Sequence, residues 1–205
     1  YPTMMERLNI NEMIMRPLFN TMSFVAVLIL MPMLTMRVFS EEKKTGTIEL
    51  ILTSPVKDWH VILGKFFAAF TLFTIMIGLT IIYPLVLQLY GNPDWAPIWT
   101  GYIGLLLMGG SIITIGLFVS SLTENQIIAG VVCFGVALFL WSLDFASSTI
   151  SGQLGEVLGY LSVLRHYNTF EKGILDSTDC LFFLSFIYFG LFITVRSLES
   201  TRWRA

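Results

Sequence analysis

From Phe66 to Thr123 the chain carries one formally charged residue, Asp94. Phe66–Pro93 has none, and Trp95–Thr123 has none. A soluble domain carries about 25% charged residues; here 13% of 205 residues are charged and 55% are hydrophobic. A helix needs about 20 mostly apolar residues to cross a hydrocarbon core of about 30 Å. Five runs meet that length, at about 18–38, 61–90, 99–122, 126–147 and 180–198. The fold class expected is an all-α integral membrane protein, with 1–205 forming one transmembrane domain. There is no internal repeat, low-complexity segment or soluble domain boundary.

Basic residues set the expected orientation, because loops rich in Lys and Arg stay in the cytoplasm. Arg37, Lys43, Lys44, Lys57 and Lys65 cluster between the first two spans, and Arg196, Arg202 and Arg204 lie in the tail. Arg7, Arg16, Arg165 and Lys172 fall on the other side. Residues 1–17 are then expected outside, which one further span before Tyr1 would explain, giving six in the full protein. Trp59 and Trp203 on one side, with Tyr83, Tyr90, Trp95, Trp99 and Tyr102 on the other, fit aromatic belts at the two interfaces. The net charge of -2 leaves no basic face for nucleic acid. Cys133 and Cys180 have no metal-ligand spacing and read as buried small hydrophobes.

The stretch EEKKTGTIELILTSP (41–55) stands out against this background, with five charged residues between Glu41 and Glu49. Ile48, Ile51 and Leu52 share helical spacing, so a short helix here has one apolar face. Gly46 is expected to cap its start, with Glu49 at the third helical position. Ser54-Pro55 reads as the next N-cap and first helical residue. A helix resting on anionic headgroups would be rich in Lys and Arg. Mixed signs fit docking onto a protein better.

Catalytic equipment is sparse. His60 and His166 lie outside the apolar runs. Ser111, Ser120 and Ser121 are expected to bond backbone or pack between helices. Gly64-Lys65 is followed by Phe66, which breaks a phosphate-binding loop of the GxxxxGK[ST] kind. Ion-coupled carriers place charges at membrane depth, whereas Asp144 and Lys65 sit at span edges. Pro32 and Pro84 are expected to kink the first two spans. Gly109, Gly110, Gly116, Gly130 and Gly135 offer surfaces for close helix packing. The segment 148–178, with Ile150, Leu154, Leu158, Leu161 and Leu164 at helical spacing, reads as an amphipathic, re-entrant or interfacial piece on the outer side.

MRVFSEEKKTGTIELILTSPVKDWHVILGKFFAAF (36–70), LMPMLTMRVF before it and RHYNTFEKGILDSTD (165–179) resemble type-2 ABC exporter permeases, closest in flavour to the gliding-motility-associated branch. The resemblance implies that 41–55 is a coupling helix that docks into a separate ATPase. Glu41, Glu42, Gly46, Thr47, Glu49, Leu50, Leu52 and Pro55 would form that contact, joined by Glu124 from the inside loop SLTENQ. It implies no cofactor in this chain, with ATP and Mg held by two ATPase subunits. A second permease subunit, identical or homologous, would complete the path in a bacterial inner membrane, with no catalysis in this chain itself. A lipid-like or amphiphilic cargo suits uncharged spans. Glu156, Arg165, His166 and Glu171 are candidates for contact with a periplasmic or membrane accessory protein. The rival expectation is an ATP-driven mechanical complex that acts on an external partner and moves no cargo.

Overall fold

A computed structural model describes residues 11–49, 56–91, 93–150 and 152–202. All regular structure among them is helical. Seven segments follow one another: α1 (Met13–Thr45), α2 (Asp58–Leu89), α3 (Trp95–Leu122), α4 (Gln126–Thr149), α5 (Gln153–Leu161), α6 (Val163–Glu171) and α7 (Ser177–Arg202). α1 to α4 and α7 are each long and apolar enough to cross a membrane. Large apolar side chains stand on their outer faces, including Phe67, Leu72, Ile75 and Leu79 on α2, Val131 and Phe139 on α4, and Leu181 and Phe189 on α7. Monomeric soluble proteins do not expose such continuous apolar surface; here lipid is the solvent. The chain is a multi-pass, all-α membrane protein.

α3 is the axis of the bundle and the most buried of the five long helices. Asp94, the sole charge in the long uncharged region, is its N-cap and accepts the Ala96 N–H at 3.2 Å. Glycines let neighbouring elements approach its backbone. Gly101 faces the Phe19 ring, Gly104 faces Phe170, Gly109 faces Phe73, and Gly116 faces Thr35. Gly190 of α7 likewise receives Thr114. The three α3 serines act as expected. Ser111 donates to the Leu107 carbonyl at 3.0 Å, and Ser121 pairs with Ser197 at 2.9 Å; Ser120 is taken up below.

The prolines break α1 and α2, each in its own way. A proline cannot donate, and its ring collides with the carbonyl four residues back. The stretches Asn11–Met15, leading into α1, and Ala26–Leu30 within it are wound as wider π-helical turns, shortly before Pro17 and Pro32. The Met31 N–H bonds the Ala26 carbonyl, five residues back. The extra residue in such a turn moves the obstructing carbonyl aside. In α2 the relief is a tight turn before Pro84. Thr80, Ile81 and Tyr83 each donate to the carbonyl three residues back, and the Thr80 hydroxyl meets the Tyr102 hydroxyl at 3.1 Å.

On one side, α5 folds back against α4 and α6 then packs on α3. The Gly152 backbone (φ 97°) starts α5, and Gly155 passes so close to the Ile150 carbonyl that no side chain fits. Ser162 ends one helix and caps the next by accepting the Arg165 N–H at 3.2 Å. The single interrupted stretch expected at 148–178 is therefore two short helices.

Candidate functional site

The charged stretch folds differently from its expected form. The run Ser40–Thr45 is itself a helical turn at the foot of α1, reached after a non-helical turn at 36–39. Its signs follow the helix dipole, with Glu41 and Glu42 in the first turn and Lys43 and Lys44 in the last. Gly46 closes this foot in the left-handed conformation (φ 72°), its N–H on the Lys43 carbonyl at 3.2 Å. The reading of Gly46 purely as a helix start is thus corrected. Glu and Lys propagate a helix well, so α1 continues past its apolar end. Gly46 then serves both sides, since its carbonyl accepts the Glu49 N–H at 3.3 Å and helix resumes at Ile48. Ile48 is buried, while Glu41, Gly46, Thr47 and Glu49 are exposed. Leu50, Leu52 and Pro55 lie outside the described residues.

Two side chains hold the foot to the bundle. The first is Ser120 at the end of α3, fully buried. Its Oγ accepts the N–H groups of Phe39 and Ser40, both at 3.0 Å, and donates to the Met36 carbonyl at 3.2 Å. Those two N–H groups belong to the last residue of the turn and the first of the foot, where the helix ladder is interrupted. One hydroxyl therefore closes the gap. Ser120→Ala is expected to cost about 1–3 kcal/mol, the usual penalty for orphaned buried donors. Thermal unfolding of the purified protein in detergent would measure it, with the nearby exposed Leu122→Ala as a control of small effect.

The second is Lys65 of α2. Its Nζ donates to the Val38 carbonyl and to Glu42 Oε2, each at 2.5 Å, and lies 4.3 Å from the centroid of the Phe39 ring. Beside the foot lies the α3–α4 loop. Asn125 caps α4 by accepting the Ile127 N–H at 2.9 Å. Glu124 is within electrostatic reach of Lys43. Lys44, Glu124, Asn125, Gln126 and Ile127 line an open recess of about 440 Å³. The two loop segments singled out in the sequence thus form one surface. Ser120 and the Lys65–Glu42 pair were not expected as part of it, because partners 23 or 80 residues apart leave no periodic trace.

On the other side the four candidates divide. Glu156 and Arg165 are exposed, and the Arg165 guanidinium lies over Gly159. Glu171 is half-buried; burial pushes its carboxyl above the usual range, while Arg16 and Lys172 pull it back. His166 is 6% exposed, so it does not present its ring to an external partner. Its Nδ1 meets Asp179 Oδ1 at 2.6 Å, its Nε2 meets the Tyr160 carbonyl at 3.0 Å, and it stacks on Phe182 at 3.9 Å. Both nitrogens face acceptors, so either tautomer of the ring donates to one of them. His166 thereby joins α5, α6 and α7. Among the described residues no group of three His, Cys, Asp or Glu side chains converges as a metal site.

A family model described as ABC-2 family transporter protein matches residues 6–168. The probable multidrug ABC transporter permease YbhR of Escherichia coli K12 is 26% identical over 137 residues, or 66% of this chain and 37% of that protein. The same figures hold for its counterpart in Escherichia coli O157:H7. The chain spans 37% of the length of these curated relatives.

Proposed function

We propose, from the premise that the chain belongs to the ABC-2 family of transporter proteins, that it serves as the permease subunit of an ATP-driven exporter. Two permease chains form the path through a bacterial inner membrane, and each docks one ATPase subunit that holds ATP and Mg. The observation that carries this reading is the foot of α1. Exposed charges of both signs stand beside the Glu124 loop, on a base tied to α2 and α3. Charge patterns of this kind set register and partner choice at protein interfaces. ATP binding closes the ATPase pair, the foot is displaced, and the spans rearrange toward the outside. The uncharged spans suit an amphiphilic or lipid-like cargo, and the multidrug designation of the E. coli relatives points the same way.

The test is co-purification from native membranes of the full-length protein, wild type beside Glu49→Arg, with mass spectrometry of the accompanying chains. An ATPase subunit that comes with wild type and is depleted by the substitution supports the reading. No ATPase with either protein would sink it.

A further inference from the structure

We infer that Lys65 is a positioning residue that fastens the foot to the base of α2, so that foot, end of α1 and start of α2 move as one body. This rests on the proposed docking of an ATPase at the foot. Lys65 stands on α2, and its acceptors are all on α1: the Val38 carbonyl, the Glu42 carboxylate and the face of Phe39. The links span 27 and 23 residues of sequence, so they bridge from α1 to α2 across the whole of the connecting segment. The geometry is specific to an ammonium. Its donors radiate from one atom and reach a carbonyl and a carboxylate that converge on a point, whereas the planar fork of an arginine presents parallel donors. The remaining substituent space lies over the aromatic ring, where a cation is attracted to the π face.

The contact also divides the labour of the two anchors. Ser120 holds the backbone where the turn meets the foot, at Phe39 and Ser40, to α3 through neutral hydrogen bonds. Lys65 holds the foot itself through the side chain of Glu42, whose exposed neighbours Glu41 and Lys44 are the residues a partner would meet. A push on the foot is therefore delivered along an ion pair to α2. From there it runs up a helix that is interrupted only at Thr80–Ile81.

Two measurements on the full-length protein decide this. The first is a thermal double-mutant cycle of Lys65→Met, Glu42→Gln and both, in detergent. Lys65→Met keeps the apolar stem and removes the charge. We expect each single change to lower the melting temperature and the double to lower it no further; additive losses would overturn the clamp. The second uses a Cys133→Ala, Cys180→Ala background with Leu89→Cys, an exposed position at the far end of α2. Its thiol-modification rate in native membranes is compared with and without Mg-ATP. We expect an ATP-dependent change with Lys65 present. Loss of that change in Lys65→Met and in Glu42→Gln, with the ATPase still co-purifying, supports transmission. A change that persists in both variants overturns it. Loss of the ATPase from these variants also overturns it, since Lys65 would then shape the docking surface alone. If wild type brings down no ATPase, the proposed function fails, and the melting cycle still decides whether the clamp exists.

Discussion

Gly116→Ala will separate α1 from α3. A methyl at this position would lie 2.0 Å from Thr35 Oγ1 and 2.4 Å from Thr35 Cβ. Thr35 cannot swing away, because it is β-branched and its hydroxyl donates to the Met31 carbonyl at 2.7 Å. The helices themselves must move apart. The expected loss is about 3 kcal/mol, the upper end for overpacking a well-filled interior. It would be read as a lower melting temperature and a smaller monodisperse fraction in detergent. Gly135→Ala is the matched control, since nothing lies within 4 Å of its added carbon and it stands on the exposed side of α4. Thr35→Gly combined with Gly116→Ala should recover part of the loss, as it removes Oγ1, Cγ2 and Cβ, the atoms that collide. Equal damage from Gly116→Ala and Gly135→Ala would mean that close approach at α3 is not what holds α1 in place.

His166→Ala will have a comparable effect at the opposite side. It leaves the Asp179 carboxylate, 8% exposed, and the Tyr160 carbonyl at the end of α5 without the imidazole nitrogens that face them. Leaving a buried hydrogen-bonding group unsatisfied costs about 1–3 kcal/mol. Asp179→Asn keeps an acceptor oxygen for the imidazole and should cost less. His166→Phe preserves stacking on Phe182 but supplies no donor, so it should resemble His166→Ala. If His166→Phe matched wild type in thermal unfolding, packing alone would explain the junction and the hydrogen bonds would contribute nothing.

The five spans were legible because lipid imposes one rule on each of them: enough apolar length to cross. Their ends were less so. The apolar run of the first span stops at Val38, yet helix returns over Ser40–Thr45 after the turn at 36–39, because Glu41 to Lys44 favour helix. Hydropathy marks the edge of the lipid and not the end of the hydrogen-bond ladder. Pro32 and Pro84 announced irregularity, but whether a proline is met by a wide turn or a tight one depends on its neighbours. Thr80 found Tyr102 on another helix, which no local pattern encodes. At the foot, residue types and the mixed charge were visible, and resemblance supplied their use. The atoms that hold it were hidden, because Lys65 and Ser120 reach it from elements that come together only in the bundle. His166 shows the converse. A polar residue outside an apolar run reads as surface, and only the position of Asp179, one helix later, turns it inward.

The wide turn at Ala26–Leu30 has one more consequence, for the ancestry of α1. Such a turn holds one residue beyond the regular count, and each residue of an α-helix advances the chain by about 100° around the axis. Rewinding Ala26–Leu30 as an ordinary turn with every residue kept would swing everything above it through that angle relative to the foot. Phe19 would leave Gly101, and the outer half of the helix would present another face. A homologous chain with the same contacts but without the wide turn must therefore be one residue shorter between Val25 and Pro32. Sequence comparison across this helix should place a gap there, inside a membrane span, where gaps are ordinarily penalised as errors.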